Sequence, residues 1–217
     1  MTGDLIPAKV LATHTIANVS ETLAEKLGLP PQYRSIGIIT ADSDDVTYCA
    51  LDEATKAAAV EVVYGRSLYA GAANASTKLA GEVIGILAGP NPAEVQSGLR
   101  ACAEFMDSGV GFRSANEDDS IIYFAHTVSR TGTYLSKTAH VREGEALAYL
   151  IAPPLEAVTA LDAALKAADV TMRLFYGPPT ETNFAGGLLS GTQPACQAAC
   201  EAFAREVRRV AAAPRVL

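Results

Sequence analysis

An internal repeat constrains the fold of this chain more than any other feature. Residues 50–60 match residues 160–170 at eight of eleven positions, with an offset of 110. Residues 85–93 match residues 187–195 with an offset of 102. Because such a repeat indicates one structural unit used twice, it has to be identified before other patterns are interpreted.

A third and shorter match pairs Val19-Ser20 with Val128-Ser129 at an offset of 109, in the same order in each half. The chain has 217 residues, which is enough for two domains of about 100 residues each. We therefore predict two copies of one domain, the first covering residues 1–108 and the second residues 109–217.

The offsets of 110 and 102 differ by eight residues, which predicts an insertion in the first copy between residues 65 and 81. This stretch consists mainly of small, polar and glycine residues and has little apolar material to bury. Loops longer than about 12 residues in compact domains usually have a function. The sequence therefore predicts a long, mobile, functional loop.

Each copy has the pattern of a mixed α/β fold. Short runs rich in β-branched residues predict strands at residues 35–40 and 83–87. Residues 51–59 predict a helix with an acidic first turn and Lys56 later, which suits the helix dipole.

A second helix is predicted from Pro92 to about Met106, with Asn91 as its N-cap and Pro92 at its first position. Pro194, which follows Gln193, repeats this start in the second copy. The same order of strand, then proline-initiated helix, therefore occurs twice.

Composition excludes several classes of protein. The net charge is -7, from 17 basic and 24 acidic residues. This argues against nucleic-acid binding and favours a cation as any charged ligand. No apolar run approaches the roughly 20 residues that span a bilayer, and the start of the chain lacks the apolar region of a secretory signal. The sequence therefore predicts a cytosolic protein that binds neither nucleic acid nor membrane.

Enzymatic motifs are missing from the sequence, including the dinucleotide, P-loop, nucleophile-elbow and zinc-protease patterns. The three histidines are isolated, and we expect them to be structural. Cys196 and Cys200 are four residues apart in a helical pattern, but free cysteine is commonly a small buried hydrophobe. We predict no catalytic residues, no cofactor and no metal site.

Residues 42–45 are the sharpest polar cluster. The spacing from Asp42 to Glu53 resembles a calcium loop, but Val46 stands at a ligand position and Thr47 where the turn requires glycine. Two interpretations remain. The cluster is either a solvated turn or a group of carboxylates for an ammonium ion, with a pair energy of about 4 kcal/mol before desolvation.

Several segments resemble bacterial microcompartment shell proteins. Residues 50–62 are similar to the central helix and strand of that domain, and residues 86–89 and 188–191 to a later strand. Further segments are similar to the ethanolamine-utilisation branch of the family. They are ADSDDVTY at 41–48, VVYGRSLYAGA at 62–72, AGEV at 80–83, AGPNPAE at 88–94, APPLEA at 152–157 and PTETNF at 179–184.

The resemblance implies an α/β (α+β) fold of two tandem, circularly permuted microcompartment domains, each a small antiparallel sheet with flanking helices. It implies a structural shell protein of the ethanolamine-utilisation microcompartment, located in that organelle's shell. It also implies a pseudohexameric homotrimer with a gated central pore, other shell proteins as partners, and small acidic pockets that bind ethanolamine.

Carried over residue by residue, the resemblance implies a pocket that combines acidic, aromatic and polar side chains. The implied pocket residues are Asp44, Asp45, Glu82, Phe112, Thr182, Asn183 and Phe184. Structural alternatives are that Phe112 belongs to the core and that Glu82 is a solvated charge at a strand edge.

The implied gate is the inserted loop, whose other interpretation is an ordinary surface loop. Its residues are Tyr69, Ala70, Gly71, Ala72, Ala73, Asn74, Ala75, Ser76 and Thr77. Two other functions stay open from the residues alone. One is a trimeric, PII-like small-molecule sensor that builds no shell, and the other is an enzyme acting on amines through Asp44 and Asp45.

Overall fold

The computed structural model describes residues 1–68, 79–178, 180 and 182–215. Within these ranges the fold is mixed α/β with antiparallel strand pairs, which confirms the predicted fold class. The helices are α1 (Glu21–Leu27), α2 (Asp44–Ala57), α3 (Pro92–Asp107), α4 (Thr133–Ala139), α5 (Pro154–Ala167) and α6 (Gln193–Ala212). The strands are β1 (Leu5–Pro7), β2 (Val10–Ile16), β3 (Ser35–Ala41), β4 (Glu61–Ser67), β5 (Val83–Gly89), β6 (Gly111–Ser114), β7 (Ile122–Val128), β8 (Ala146–Ala152), β9 (Val170–Tyr176) and β10 (Ala185–Gly191).

The chain forms two compact units. The N-unit comprises Pro7–Val110 with Gly132–Leu135, and the C-unit comprises Met1–Ile6, Gly111–Thr131 and Ser136–Leu217. These limits follow contacts in the folded chain. The limits of the duplicated domains, residues 1–108 and 109–217, stay a prediction.

The N-unit contains a four-stranded sheet in the order β2-β3-β5-β4. Strands β3 and β5 form its centre and pair antiparallel, with Ile38 opposite Ile86. Helices α2 and α3 pack together and contact the sheet, burying Leu51 and Val95 completely. Ala24 of α1 belongs to a separate apolar cluster that includes Ile86. Helices α2 and α3 are thereby anchored on the sheet.

The C-unit contains a six-stranded sheet in the order β1-β6-β7-β8-β10-β9. Strand β8 is buried at all seven of its positions. Helices α5 and α6 pack together and cover the sheet through a core that includes Leu150, Leu161 and Phe203.

The structure confirms the duplication. Four strands of the C-unit, β7-β8-β10-β9, repeat the order of the N-unit sheet. Helices α1 and α4 both have seven residues and lie 112 positions apart, and α2 and α5 both have fourteen residues and lie 110 positions apart. Every element from β2 to α3 therefore has a counterpart between β7 and α6.

The position of the insertion is also confirmed. The connection from β4 to β5 comprises residues 68–82, which is fifteen residues. The equivalent connection from β9 to β10 comprises residues 177–184, which is eight residues. The shortest of the three sequence matches was wrong. Because β2 and β7 lie 112 positions apart, Val128 corresponds to Ile16 rather than to Val19.

Both predicted strands and the helix start at Asn91 are confirmed, since Asn91 Oδ1 accepts a 3.0 Å hydrogen bond from the backbone nitrogen of Glu94. Two boundaries differ from prediction. Helix α2 begins at Asp44 rather than residue 51, because the acidic pair favours the positive end of the helix dipole. Helix α6 is capped by Thr192 rather than Gln193, because its hydroxyl accepts from the nitrogen of Ala195.

Candidate functional site

Helix α2 opens with two neighbouring carboxylates, Asp44 and Asp45, that are both buried. Asp44 Oδ1 accepts a hydrogen bond from the Asp45 nitrogen at 2.9 Å, and Oδ2 accepts from the Ser67 hydroxyl at 2.9 Å. The Tyr48 hydroxyl lies 2.7 Å from the same Ser67 oxygen. Asp44 and Asp45 are therefore buried in a hydrogen-bonded group and are not solvated, whereas Asp42 of the same cluster is exposed.

Glu82 is brought to this group by the end of the β4–β5 connection. Its nitrogen donates to the carbonyl of Ala41 at 2.8 Å, and its carbonyl accepts from the Leu68 nitrogen at 2.7 Å. Burial raises the pKa of Glu82, and repulsion from Asp44 and then Asp42 raises it further. Three carboxylates of the N-unit thus act on one another, which is an arrangement that a bound cation would stabilise.

Gly81 allows this close approach. Its φ is +64°, and a Cβ at this position would lie 2.1 Å from the carbonyl oxygen of Ala41. A side chain there would strain the backbone and collide with β3. The identity of residue 81 therefore fixes where Glu82 lies.

The other predicted pocket residues lie in the C-unit. Phe112 is buried and packs against Phe124, with ring centroids 5.5 Å apart, and against Phe184 edge-on at 5.8 Å. The backbone of Phe184 is held by Thr180, whose hydroxyl bonds both its nitrogen and its carbonyl oxygen. The structure therefore brings Phe112 and Phe184 together in one aromatic cluster, in which Phe112 is buried in the core and Phe184 is half-buried.

Thr182 and Asn183 form the turn that leads into Phe184. Asn183 is exposed and has a φ of +62°, a conformation that asparagine tolerates better than most residues. Thr182 is half-buried. This turn presents polar groups next to an aromatic ring. The predicted gate, residues 69–77, lies outside the described residues.

Sequence reasoning missed the hydrogen-bonded pair Ser67 and Tyr48 that supports Asp44. It also missed a cavity of about 190 Å³ along the edge strand β4, which is lined by Val62, Val63, Tyr64, Gly65, Arg66 and Tyr134. The signal for the first was a serine, Ser67, at the end of the strand that precedes the insertion. Nothing local in the sequence connects Tyr134 with β4, because nearly seventy residues separate them.

The four cysteines are free and buried. Burial raises the pKa of Cys102 and of Cys200 to about 12, so both remain protonated thiols near neutral pH. Cys200 accepts a hydrogen bond from the Thr127 hydroxyl at 3.4 Å. These side chains pack as small apolar groups.

Across the described ranges, histidine, cysteine and carboxylate side chains form no group of three or more placed to hold a metal ion. Among the helices that the structure describes, none combines the length and the apolar composition required to cross a bilayer.

Residues 35–115 match the BMC domain family. The chain is 71% identical over 214 residues to the bacterial microcompartment shell protein EutL of Clostridium perfringens, and the match covers 99% of each chain. It is 54% identical over 211 residues to the protein of that name from Salmonella typhimurium, covering 97% of this chain and 96% of the other. The crystal structure of ethanolamine utilization protein EutL from Leptotrichia buccalis superimposes with a TM-score of 0.97 at 66% identity, covering 100% of both chains. The similarity thus extends over both copies of the repeat.

Proposed function

Because this chain belongs to the EutL family of bacterial microcompartment shell proteins, we propose that three copies form a shell tile with a gated central pore and acidic pockets that bind ethanolamine. The chain is a structural shell protein of the ethanolamine-utilisation microcompartment, and it lies in the shell of that organelle. The trimer, the gate and the ligand are the steps that we propose beyond family membership.

The observation that carries the ligand is the position of Glu82 beside Asp44 and Asp42 in the N-unit. Burial raises the pKa of Glu82, and repulsion from Asp44 and Asp42 raises it further. Ethanolamine carries an amine that stays protonated near neutral pH, as that of lysine does. Placing this cation among the carboxylates would relieve the repulsion, so an ammonium ligand fits the site better than an anion or a neutral molecule.

The C-unit residues enter the proposal through the family resemblance. An aromatic face attracts an ammonium group within about 6 Å, and Phe112 and Phe184 are already packed edge to face at 5.8 Å. The turn at Thr182 and Asn183 supplies polar groups suited to a hydroxyl. We assign these residues to the hydrophobic and hydroxyl-binding part of the ethanolamine pocket.

Residues 69–77 are assigned to the gate. The support is that the β4–β5 connection has fifteen residues and its counterpart eight, so only one copy per chain carries the extra length. Shortening this connection by seven residues, to the length of its counterpart, should leave assembly intact and increase the rate at which a small charged dye crosses reconstituted shells. An unchanged rate would contradict the gate.

Ligand size limits the expected affinity. Ethanolamine has four heavy atoms, and the best small ligands gain about 1.5 kcal/mol per atom. The dissociation constant should therefore be no tighter than roughly 40 μM. A site of this strength suits a response to an abundant metabolite.

Calorimetry on the intact protein tests the assignment. D45N and E82Q should each weaken ethanolamine binding severalfold or more, whereas E104Q, which removes an exposed carboxylate of α3, should not. Raised salt should weaken binding to the wild type more than to E82Q, because in the wild type it also screens the Glu82 charge, which the variant lacks. Unchanged affinity in both pocket variants would remove the acidic cluster from the ligand site. A native mass other than that of a trimer would contradict the assembly separately.

A further inference from the structure

Tyr48, Ser67 and Asp44 form a continuous chain of hydrogen bonds in the N-unit. The Ser67 hydroxyl donates to Asp44 Oδ2 at 2.9 Å, and the Tyr48 hydroxyl lies 2.7 Å from the same Ser67 oxygen. Tyr48 and Asp44 are one helical turn apart on α2, so their side chains share one face of the helix. Ser67 is the last residue of β4 and joins the two from the sheet.

The direction of this chain follows from the acceptor at its end. An ionised carboxylate only accepts hydrogen bonds, so the single hydroxyl hydrogen of Ser67 is committed to Asp44. The Ser67 oxygen can then only accept from the hydroxyl of Tyr48. Both hydroxyl hydrogens therefore point towards Asp44.

The carboxylate of Asp44 is held at both of its oxygens. Oδ1 accepts from the Asp45 nitrogen at 2.9 Å, while Oδ2 accepts from Ser67. Asp44 is 9% exposed, so little water competes with these donors, and a hydrogen bond in such surroundings is stronger than one in bulk solvent. The negative charge of Asp44 is thereby kept in one place before a ligand arrives.

The ring of Tyr48 is itself held by two neighbours in the same unit. Tyr134 packs against it, with ring centroids 6.3 Å apart. Gly65 leaves space for both rings, since a Cβ there would lie 2.8 Å from the Tyr134 hydroxyl and 3.5 Å from Cε1 of Tyr48. The Tyr48 hydroxyl therefore approaches Ser67 from a fixed direction.

The second copy of the repeat folds without any of these three groups. Helices α2 and α5 lie 110 positions apart, and strands β4 and β9 lie 109 positions apart. At the positions of Asp44, Tyr48 and Ser67, the C-unit has Pro154, Val158 and Tyr176. The hydrogen-bonded chain occurs only in the copy that has the carboxylate, so it serves the acidic group rather than the fold that both copies share.

We propose that Ser67 and Tyr48 are positioning residues of the acidic site, and that their hydroxyls hold the Asp44 carboxylate where its charge attracts the ammonium group of the ligand. Neither residue has to touch the ligand, because both act through Asp44. This inference rests on the proposed function, since it assigns two further residues to the same site.

The position of Asp44 matters because of its neighbour Glu82. Burial and then repulsion from Asp44 and Asp42 raise the pKa of Glu82. A mobile Asp44 could turn away from Glu82 and relieve this repulsion without a ligand. Held by Ser67, Asp44 stays where only a cation or a proton relieves the repulsion, so the empty site is already arranged for an ammonium group.

Calorimetry with ethanolamine on full-length variants tests the proposal. S67A and Y48F should each weaken binding about threefold or more, whereas S67T, which keeps the hydroxyl, should match the wild type. The controls are S35A and Y33F, which remove hydroxyls at the start of β3, the opposite end from Asp42. S35A also loses a hydrogen bond, from its hydroxyl to the carbonyl of Ala17 at 2.7 Å. Both controls should bind as the wild type does.

Double variants distinguish positioning from a general structural effect. Y48F should cause no further loss of affinity in S67A, because Tyr48 acts only through Ser67. S67A should likewise cause no further loss in D44N, because the charge that Ser67 positions is already gone. Additive losses in either pair would overturn the proposal.

The outcomes separate this inference from the proposed function. A wild type that binds ethanolamine, together with S67A and Y48F of equal affinity, would overturn the positioning role and leave the acidic site standing. Binding to S67T as weak as binding to S67A would show that the hydroxyl is not the cause. A wild type that does not bind ethanolamine would overturn the proposed ligand, and the positioning role with it.

Discussion

The Oδ2 atom of Asp52 lies 2.7 Å from the backbone nitrogen of Gly132, eighty residues further along the chain. Burial raises the pKa of Asp52, while the amide hydrogen bonds from Gly132 and Leu135 act in the opposite direction. Gly132 has no Cβ, which at this position would lie 2.2 Å from the Thr55 hydroxyl. A buried acid and a glycine thus hold a distant segment against α2.

Replacing Asp52 with asparagine should destabilise the fold. An amide has one acceptor oxygen, so its NH2 group would face one of the two backbone donors and leave it unpaired. The free energy of unfolding should fall by about 1–3 kcal/mol relative to the wild type. Denaturant unfolding at fixed protein concentration measures this difference. E104Q provides the control for loss of a carboxylate. Equal stability of D52N and the wild type would show that the contact contributes little.

The pKa of Glu82 predicts a pH dependence of stability. Burial, Asp44 and Asp42 raise this pKa in the folded state, so the folded chain binds the proton more tightly than the unfolded chain does. Stability from this proton is present at low pH and is lost as pH rises through the folded pKa.

E82Q should therefore be more stable than the ligand-free wild type near neutral pH. The difference should shrink as pH falls towards about 4.3, the ordinary value for a glutamate. Thermal unfolding midpoints of E82Q and the wild type, measured from neutral pH down to this value, test the prediction. A difference that is independent of pH would contradict the assigned cause.

Replacing Gly81 with alanine should weaken ethanolamine binding severalfold. The new Cβ would force the backbone that carries Glu82 away from Ala41, in addition to the strain at a φ of +64°. The control is G144A, which has a φ of +89° but no neighbouring atom closer than 3.8 Å. Calorimetry should show a loss in G81A and none in G144A, although both lose stability. Equal binding in the two variants would separate Gly81 from the site.

The two helix caps should differ in strength. N91A should destabilise the protein by about 1 kcal/mol, and N91D should restore most of it, because both side chains accept from the backbone. The Thr192 bond is longer, at 3.3 Å against 3.0 Å for Asn91, so T192A should cost less. Denaturant unfolding midpoints of the two variants measure this difference. A larger loss of stability in T192A than in N91A would contradict the prediction.

Features that depend on neighbouring residues could be predicted from the sequence. The strand at Ser35–Ala41 follows from β-branched side chains, and the start of α3 follows from Asn91 and Pro92. The position of the insertion follows from the difference between two offsets. Each of these signals lies within a few residues of the structure that it determines.

Features that depend on distant partners could not be predicted. Asp52 has an ordinary helical context, and its burial results from Gly132 and Leu135. The residues of the acidic cluster were found, but the start of α2 at Asp44 was missed because the same carboxylates also fit a cation-binding turn. The roles of the pocket residues came from resemblance and stay a prediction.

Glu82 immediately precedes β5, and Phe184 immediately precedes β10, its counterpart. One ancestral position has therefore become an acid in one copy and an aromatic ring in the other. In a ring built from identical single-domain chains, a substitution appears in every domain. Such a ring therefore cannot have two different residues at equivalent positions. Fusion of the two copies in one gene removed that restriction, and natural selection could then alter each half independently.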